Sequence, residues 1–143
     1  MSIATAEDNI PAFFDISYKL YSNDTKIAQM ERRFYKNELN NYIFSSESKT
    51  TGLISFFRKD HIVEISNWNI TNSNIMPLHY SYQHTGGKKD RDVEINFNWE
   101  SGQIINRVNN SIWHMKTQTG VLDKLLYQLV IMIDLKSGNI PEK

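Results

Sequence analysis

The sequence predicts a mainly β (α+β) fold, in which a curved antiparallel sheet or partial β-barrel meander carries one C-terminal helix packed on it or capping it. Alternation of apolar and polar residues with a period of two runs from residue 13 to residue 117, and short polar turns interrupt it. After Gly120 the apolar residues recur at three- and four-residue steps instead, which indicates a helix. At 143 residues we expect a single domain, spanning residues 13–143.

The first half of the chain contains three alternating runs. They cover residues 14–20, 28–34 and 42–44, and the polar segments 22–24 and 36–38 separate them. Alternating runs joined by short turns pair with their sequence neighbours, so these segments predict the first strands of a meander. Residues 52–57 break the rhythm with a continuous apolar patch, which predicts a helical turn or lip tucked over an open edge of the sheet.

The strongest strand signals lie in the second half. Strand-like residues resume at 61–70, and residues 76–82 alternate with Tyr80 and Tyr82 on the apolar face. Residues 92–99 alternate without exception, with Phe97 and Trp99 among the apolar members. Such a run must bury one face and solvate the other, so the intervening asparagines are expected to meet water. Two further short strands follow, separated by Asn109-Asn110.

The last element is an apolar helix, predicted at about residues 120–137. Gly120 is the expected N-cap, with Asp123 in the first turn, where the helix dipole favours a carboxylate. Ser137-Gly138-Asn139 and Pro141 supply the stop signals. Because the apolar stripe is wide, this helix must lie across the sheet or against another chain.

Composition excludes several classes of function. Sixteen basic and sixteen acidic residues give zero net charge, which argues against a nucleic-acid binder. The absence of cysteine rules out disulfides, thiolate zinc sites and cysteine nucleophiles. No stretch is apolar and long enough to span a bilayer. No cofactor is expected, because the Gly86-Gly87 pair lacks the strand-to-helix setting of a phosphate loop.

The four histidines and the acidic residues give no catalytic or metal-site pattern. His79 and His84 fall on opposite faces of one strand, so they cannot share a metal ion without a bulge. An enzyme hypothesis would use carboxylates such as Glu47, Glu64 or Asp92 as general acid and base. Asp92 lies on the polar face of its strand, which speaks against that hypothesis, and no catalytic residue is assigned.

The N-terminus permits two interpretations. Ala4-Thr5-Ala6 has the small-x-small form of a signal-peptidase site, although no hydrophobic core precedes it. Residues 1–12 are either the remnant of a signal peptide or a flexible N-terminus in which three small residues occur together by chance.

Arg32 is the exception on the predicted apolar face. Because an unpaired buried guanidinium costs several kcal/mol, three outcomes are open. Arg32 pairs with an inward acid, a bulge turns it outward, or the interior there is a wet cavity; we expect the bulge.

The same face carries a stripe of aromatic residues, for which core packing is the default explanation. The alternative is that these residues line a partly hydrated pocket for an amphiphile. The candidate ligand-binding residues for that alternative are Arg32, Tyr80, Tyr82, Phe97 and Trp99.

Segments spread over nearly the whole chain share a family pattern. They are Ile16-Ser17-Tyr18, Thr51-Gly52-Leu53 with Phe57-Arg58, Pro77-Leu78-x-Tyr80-x-Tyr82, the block from Gly86 to Val93, Phe97-x-Trp99-Glu100-x-Gly102, Leu122-Asp123-Lys124-Leu125 and Asp134-Leu135-x-x-Gly138. Taken in order, they resemble a bacterial envelope family known as domain-of-unknown-function family 3108.

The resemblance implies a periplasmic or otherwise exported protein and no assigned catalytic residues. Similar proteins continue past the helix with further strands, whereas this sequence stops at Lys143. The resemblance therefore implies either a shortened chain or a partner, such as another copy, that completes the sheet. The function expected first is a non-catalytic binding or carrier module for an amphiphilic or lipid-like ligand. The alternatives are a structural or assembly subunit of an envelope complex and an envelope enzyme acting on glycans or lipids.

Overall fold

A computed structural model describes residues 6–138, and its main feature is one eight-stranded antiparallel sheet in sequence order. The sheet is open, since β1 and β8 each pair with one neighbour only. The predicted meander is therefore confirmed as an open sheet. The strands are β1 Phe14–Ser22, β2 Thr25–Lys36, β3 Tyr42–Thr50, β4 His61–Thr71, β5 Asn74–Thr85, β6 Arg91–Asn98, β7 Gln103–Val108 and β8 Ser111–Lys116.

One helix, α1, spans Lys124–Ser137 and packs on one face of the sheet against β3 and β4. We call this the helix-side face and the opposite one the outer face. The largest fully buried side chains are aromatic residues of the sheet and leucines of α1, so the core lies between α1 and the central strands. They include Phe34, Phe44, Trp68, Leu125, Leu126 and Leu129.

The start of α1 differs from the prediction. The N-cap is Asp123, whose carboxylate accepts hydrogen bonds from the backbone N–H groups of Leu125 and Leu126. Gly120 has a φ of 87° and precedes the helix in a turn. The physical reason is that an aspartate offers a side-chain acceptor to the first helical N–H groups, which glycine lacks. At the other end the helix stops at Gly138, as predicted, in a left-handed conformation with a φ of 78°.

The alternation in β6 is confirmed. Phe97 is 8% exposed, whereas Asn96 and Asn98 are exposed. Trp99 follows the strand and is half-buried, and its Nε1 donates a 2.7 Å hydrogen bond to the carbonyl of Pro77.

The alternation in β5 is interrupted. Trp68 pairs with Pro77 and Asn67 with His79, so Leu78 is an extra residue that forms a β-bulge. An extra residue exchanges the two faces for the residues on one side of the bulge relative to those on the other. Pro77, which simple alternation with Tyr80 would put on the polar face, is therefore fully buried against the core.

Residues 52–57 form the predicted helical turn, a 3₁₀ helix at Gly52–Phe56, but not the predicted cover. The turn packs mainly against β2, and Leu53, Phe56 and Phe57 are exposed. Most of the helix-side face of the edge strand β1 is likewise uncovered: Ile16, Tyr18 and Leu20 are exposed, because α1 packs mainly on β3 and β4.

A short 3₁₀ helix at Ala6–Asn9 contacts α1 before β1 begins. Most of the Ala4-Thr5-Ala6 motif, like Asn139 and Pro141, lies outside the described residues, so the cleavage-site interpretation stays a prediction. Among residues 6–138, no helix has the length and apolar character needed to cross a bilayer.

Candidate functional site

A groove of about 370 Å³ opens on the helix-side face beside the first turn of α1. Its position follows from strand register, because Tyr82 of β5 pairs with Val93 of β6 and the neighbouring pairs bring Tyr80 and Arg91 to the same face. The N-terminal turn of α1 adds Lys124, whose Nζ lies 5.1 Å from the centroid of the Tyr82 ring. A cavity of this volume falls within the size range of small-molecule sites.

A hydrogen-bond network forms the inner wall of the groove. The hydroxyl of Tyr80 donates to Glu64 Oε2 at 2.8 Å, and Lys124 Nζ donates to Glu64 Oε1 at 3.2 Å. Burial and the adjacent Glu64 carboxylate raise the pKa of Tyr80 well above its ordinary value of 10.0. Tyr80 is therefore a neutral donor at physiological pH, and both oxygens of Glu64 are occupied.

A second buried carboxylate fixes the helix above this network. Asp123 Oδ2 accepts a 2.6 Å hydrogen bond from the hydroxyl of Ser66, which is fully buried on β4. Burial raises the pKa of Asp123 above its ordinary value of 3.8, although the hydrogen bonds it accepts oppose the shift. Because this carboxylate is fully engaged, it is not available to a ligand in the groove.

Charge is unevenly divided between the two faces of the sheet. On the helix-side face, the described strands carry a single carboxylate, Glu64, and three cationic side chains, Arg32, Lys36 and Arg91. All other strand carboxylates lie on the outer face, where each has a basic partner: Asp15, Glu31, Glu47, Asp92 and Glu94. The face that holds the groove therefore has an excess of positive charge.

Arg32 lies on the helix-side face, and the expected bulge at this position is wrong. The register of β2 with both neighbours is continuous from Ala28 to Phe34, and the irregularity falls earlier, at Ile27. The Arg32 guanidinium lies 6.0 Å from the centroid of the Phe44 ring. Its Nε is buried without a hydrogen-bond partner in the described part of the protein. The inward-acid alternative also fails there, since no carboxylate contacts Arg32 within residues 6–138.

The structure brings together only two of the five predicted ligand-binding residues. Tyr80 and Tyr82 line the groove. Arg32 lies two strands from Glu64 on the same cross-strand row, roughly 10 Å away by strand spacing. Phe97 belongs to the packed core, and Trp99 lines a separate cavity of about 110 Å³.

The carboxylates of the enzyme hypothesis do not face one another. Glu47 lies on the outer face and contacts His61 at 2.7 Å, and Asp92 lies there too and pairs with Arg107 at 3.0 Å. Glu64 alone faces the groove. General acid–base catalysis by a carboxylate pair needs both groups across one cleft, so this arrangement does not support it.

Two histidines also pair with acids from the two faces of β5, as the alternation predicts. His79 contacts Glu94 at 3.1 Å on the outer face, and His84 contacts Asp60 at 2.8 Å at the end of the helix-side face. The His84 and Arg58 side chains lower the pKa of Asp60. Within residues 6–138, no three acidic or histidine side chains come together as metal ligands.

A larger groove of about 460 Å³ lies between the segment that precedes α1, the C-terminal half of α1 and the β4–β5 hairpin. Its lining includes the aliphatic residues Ile75 and Ile133 and several polar residues. Asn9 and Ser137 line it near the two ends of the described range, and we assign it no role.

Sequence reasoning missed Arg91 and Lys124 as lining residues. Arg91 shares the parity of Val93, so its position on the apolar face could have been read from the alternation. Lys124 could not, because its place depends on where the helix starts and how it docks on β4.

An open antiparallel meander with one helix on one face, and a tyrosine-lined cationic groove beside that helix, define a mainly β protein with a ligand-sized surface site. The model of the family described as "Protein of unknown function (DUF3108)" matches residues 14–140, and the chain belongs to that family. Searches of curated proteins and of solved structures gave no significant match.

Proposed function

We propose that the protein binds or carries an amphiphilic, lipid-like molecule with an anionic headgroup in the bacterial envelope. The observation that carries this proposal is the groove, in which Tyr80, Tyr82 and Val93 adjoin the cations Arg91 and Lys124. Apolar lining with a few convergent polar groups is the usual composition of a ligand site.

The proposed negative charge of the headgroup follows from the cations of the groove that lack a full set of acidic partners within the described residues. Glu64, the one strand carboxylate on this face, is bound by Tyr80 and Lys124. Arg91 has no ion-pair partner among residues 6–138, and Lys124 has one of its three donors on Glu64. A carboxylate or phosphate entering the groove would therefore meet Arg91, which is unpaired in the described part of the chain, and the remaining donors of Lys124, and such charge-assisted hydrogen bonds are the strong ones.

The apolar part of the ligand has partly exposed apolar side chains next to the headgroup site. Val93 pairs with Val108 of β7, and Trp113 of β8 lies on the same face and is exposed. From β5 to β8 this surface extends over three strand spacings, about 14 Å. α1 packs mainly on β3 and β4. Val93 and Val108 stay partly exposed and Trp113 is 43% exposed, so an acyl chain can lie across these strands.

The envelope location rests on the family resemblance of the sequence. Fractionation of cells that express the gene from its own locus, with antibody detection, tests it. Recovery of the protein in the periplasmic or membrane-associated fraction supports the location, and recovery with cytoplasmic markers contradicts it.

Binding is tested by calorimetry on protein stripped of lipid, with dodecanoate and its neutral analogue dodecanol as ligands. We expect dodecanoate to bind at least about tenfold more tightly, because one charge-assisted hydrogen bond contributes about 1.5–3 kcal/mol. The double variant R91Q/K124Q should abolish that difference and leave dodecanol unchanged. Arg33→Gln, which removes an outer-face cation next to Arg32, is the matched control and should have no effect.

Tyr82→Ala should weaken both ligands, since it removes lining shared by the two. Tyr127→Ala is its control, because Tyr127 is an exposed tyrosine on α1. Equal binding of dodecanoate and dodecanol would refute the anionic headgroup. If neither ligand binds and native mass spectrometry of protein from its host shows no co-purifying amphiphile, the binding function itself is refuted.

An assembly subunit is a second candidate, favoured by one observation. All six residues of the edge strand β8 are exposed, among them Ile112, Trp113 and Met115. Uncovered apolar edges are templates for pairing with another chain. Concentration-dependent association in analytical ultracentrifugation, lost in the variant Ile112→Lys, would support this candidate, and a strict monomer would contradict it.

A further inference from the structure

Several exposed apolar and basic side chains gather at one end of the sheet. The 3₁₀ helix Gly52–Phe56 and its following residues connect β3 to β4 there, and the β5–β6 hairpin lies beside them. We call residues 52–60 together with residues 86–91 the basic tip.

Three large apolar side chains project from the basic tip into solvent. Leu53 is 71% exposed, Phe56 79% and Phe57 89%. These three are more exposed than any apolar side chain of β1 or β8, and they follow one another within five residues. Clustered exposed aromatic residues of this kind mark an interaction surface rather than the ordinary scatter of surface apolar residues.

The same tip carries an excess of positive charge. It holds five basic residues and two acidic ones, which leaves three positive charges. One of the two acids, Asp60, is already matched by Arg58 at 2.9 Å. The basic residues are Arg58, Lys59, Lys88, Lys89 and Arg91, and all five are exposed.

Hydrogen bonds tie residues 52–60 to the adjoining strands, and one close backbone contact joins the two segments of the tip. Asp60 Oδ1 contacts His84 Nε2 at 2.8 Å, and Thr50 Oγ1 donates a 2.6 Å hydrogen bond to the carbonyl of Arg58. The Gly86 backbone packs so closely on the carbonyl of Lys59 that a Cβ there would lie 1.9 Å from it. The exposed phenylalanines are therefore presented on a fixed base next to the lysines.

We propose that the basic tip docks onto the surface of a lipid bilayer that contains anionic lipids. Phe56, Phe57 and Leu53 enter the boundary between headgroups and acyl chains, and the surrounding lysines and arginines contact lipid phosphates. An apolar group combined with a polybasic rim is the combination that gives stable interfacial binding, because neither signal suffices alone. Arg91 belongs both to this rim and to the groove, so the docked orientation would place the groove next to the membrane.

Cosedimentation with vesicles tests the proposal. Wild-type protein should bind vesicles of mixed phosphatidylglycerol and phosphatidylcholine, and bind pure phosphatidylcholine at least about tenfold more weakly, since each basic residue adds to the attraction. The double variant F56S/F57S should lose at least about tenfold in partitioning to both vesicles. The variant K88E/K89E should lose binding to the anionic vesicles only.

Leu39→Ser is the matched control. Leu39 is 80% exposed in the hairpin between β2 and β3, at the opposite end of the sheet, and its loss should leave vesicle binding unchanged. Dodecanoate binding by F56S/F57S in solution, without vesicles, reports on the groove separately.

Absence of wild-type binding to anionic vesicles, or equal binding by wild type and F56S/F57S, overturns the proposal. So does a change in oligomeric state on F56S/F57S substitution in ultracentrifugation, because the tip would then join two copies of the chain.

Discussion

The carboxylate of Asp123 and the hydroxyl of Ser66 form a buried 2.6 Å hydrogen bond that joins the start of α1 to the middle of β4. The two residues lie 57 positions apart in the sequence. The same carboxylate caps the helix through the N–H groups of Leu125 and Leu126. One side chain thus sets both the first residue of the helix and its position on the sheet, and through Lys124 it sets the wall of the groove.

Substitution of Asp123 should therefore destabilise the fold in a graded way. We expect Asp123→Ala to lower the free energy of unfolding by about 2–3 kcal/mol, because the cap is lost and the Ser66 hydroxyl is left buried without its partner. Asp123→Asn keeps an N-cap acceptor and should cost only about 1 kcal/mol. Urea unfolding followed by circular dichroism measures both. Asp90→Ala, at an exposed loop position, is the control, and similar losses for all three variants would refute the dual role.

Tyr80 predicts a specific alkaline response. Its pKa is raised in the folded state, so above about pH 10 unfolding releases a proton from this side chain and stability falls as pH rises. Tyr80→Phe should be less stable than wild type at about pH 8, by about 1 kcal/mol for the lost hydrogen bond to Glu64. The difference in unfolding free energy between wild type and Tyr80→Phe should narrow at about pH 11, because wild type loses stability there and the phenylalanine variant, which cannot ionise at this position, does not. Tyr127→Phe, at an exposed position, should show no such narrowing, and a constant gap for Tyr80→Phe would contradict the buried, neutral phenol.

Arg32 should contribute little to the stability of the fold. Because its Nε has no hydrogen-bond partner in the described residues, Arg32→Met should leave the free energy of unfolding unchanged or raise it by about 1 kcal/mol. Arg33→Met loses the exposed ion pair with Asp15 and should cost no more than about 1 kcal/mol. Thermal and urea unfolding measure both. A loss of more than about 2 kcal/mol on Arg32→Met would show that the guanidinium has a stabilising partner.

Alanine substitutions at two glycines with similar backbone conformations can distinguish the cost of backbone strain from the cost of a steric clash. Gly86 has a φ of 77° and Gly120 a φ of 87°, so alanine at either position costs about 1–2 kcal/mol of backbone strain. Only at Gly86 would the new Cβ meet another atom, the carbonyl of Lys59. We expect Gly86→Ala to cost at least about 1 kcal/mol more than Gly120→Ala, since the backbone must shift. Equal losses would mean that the two segments of the basic tip do not touch.

Much of the sheet was predictable because its signal is local. The alternation of residues 92–99 and the polar turns fix strand positions and pairing, since neighbouring strands in a meander follow one another in sequence. The bulge at Leu78 was not predictable, because it depends on how Trp68 packs against Pro77 across two strands. The helix start shifted for a related reason: the partner of Asp123 lies on another strand, far away in the sequence.

The candidate site was predictable only in part. Tyr80 and Tyr82 share a strand face by parity, and they do line one groove. Whether Phe97 and Trp99 also line the groove depends on where α1 packs, which the sequence does not show. Phe97 is buried in the core together with the leucines of α1, and Trp99 lines a separate cavity. The charge excess of the helix-side face also escapes a count of residues, because the whole sequence is neutral.

The basic tip has one more consequence, which concerns orientation. The basic tip carries three positive charges in a molecule of zero formal charge, so the rest of the chain carries the balancing negative charge and the molecule has an electric dipole with its positive end at the tip. Near a negatively charged surface such a dipole experiences a torque that turns the basic end forward before any contact is made. The isoelectric point of about 6.9 conceals this behaviour, because it reports the sum of the charges and not their separation.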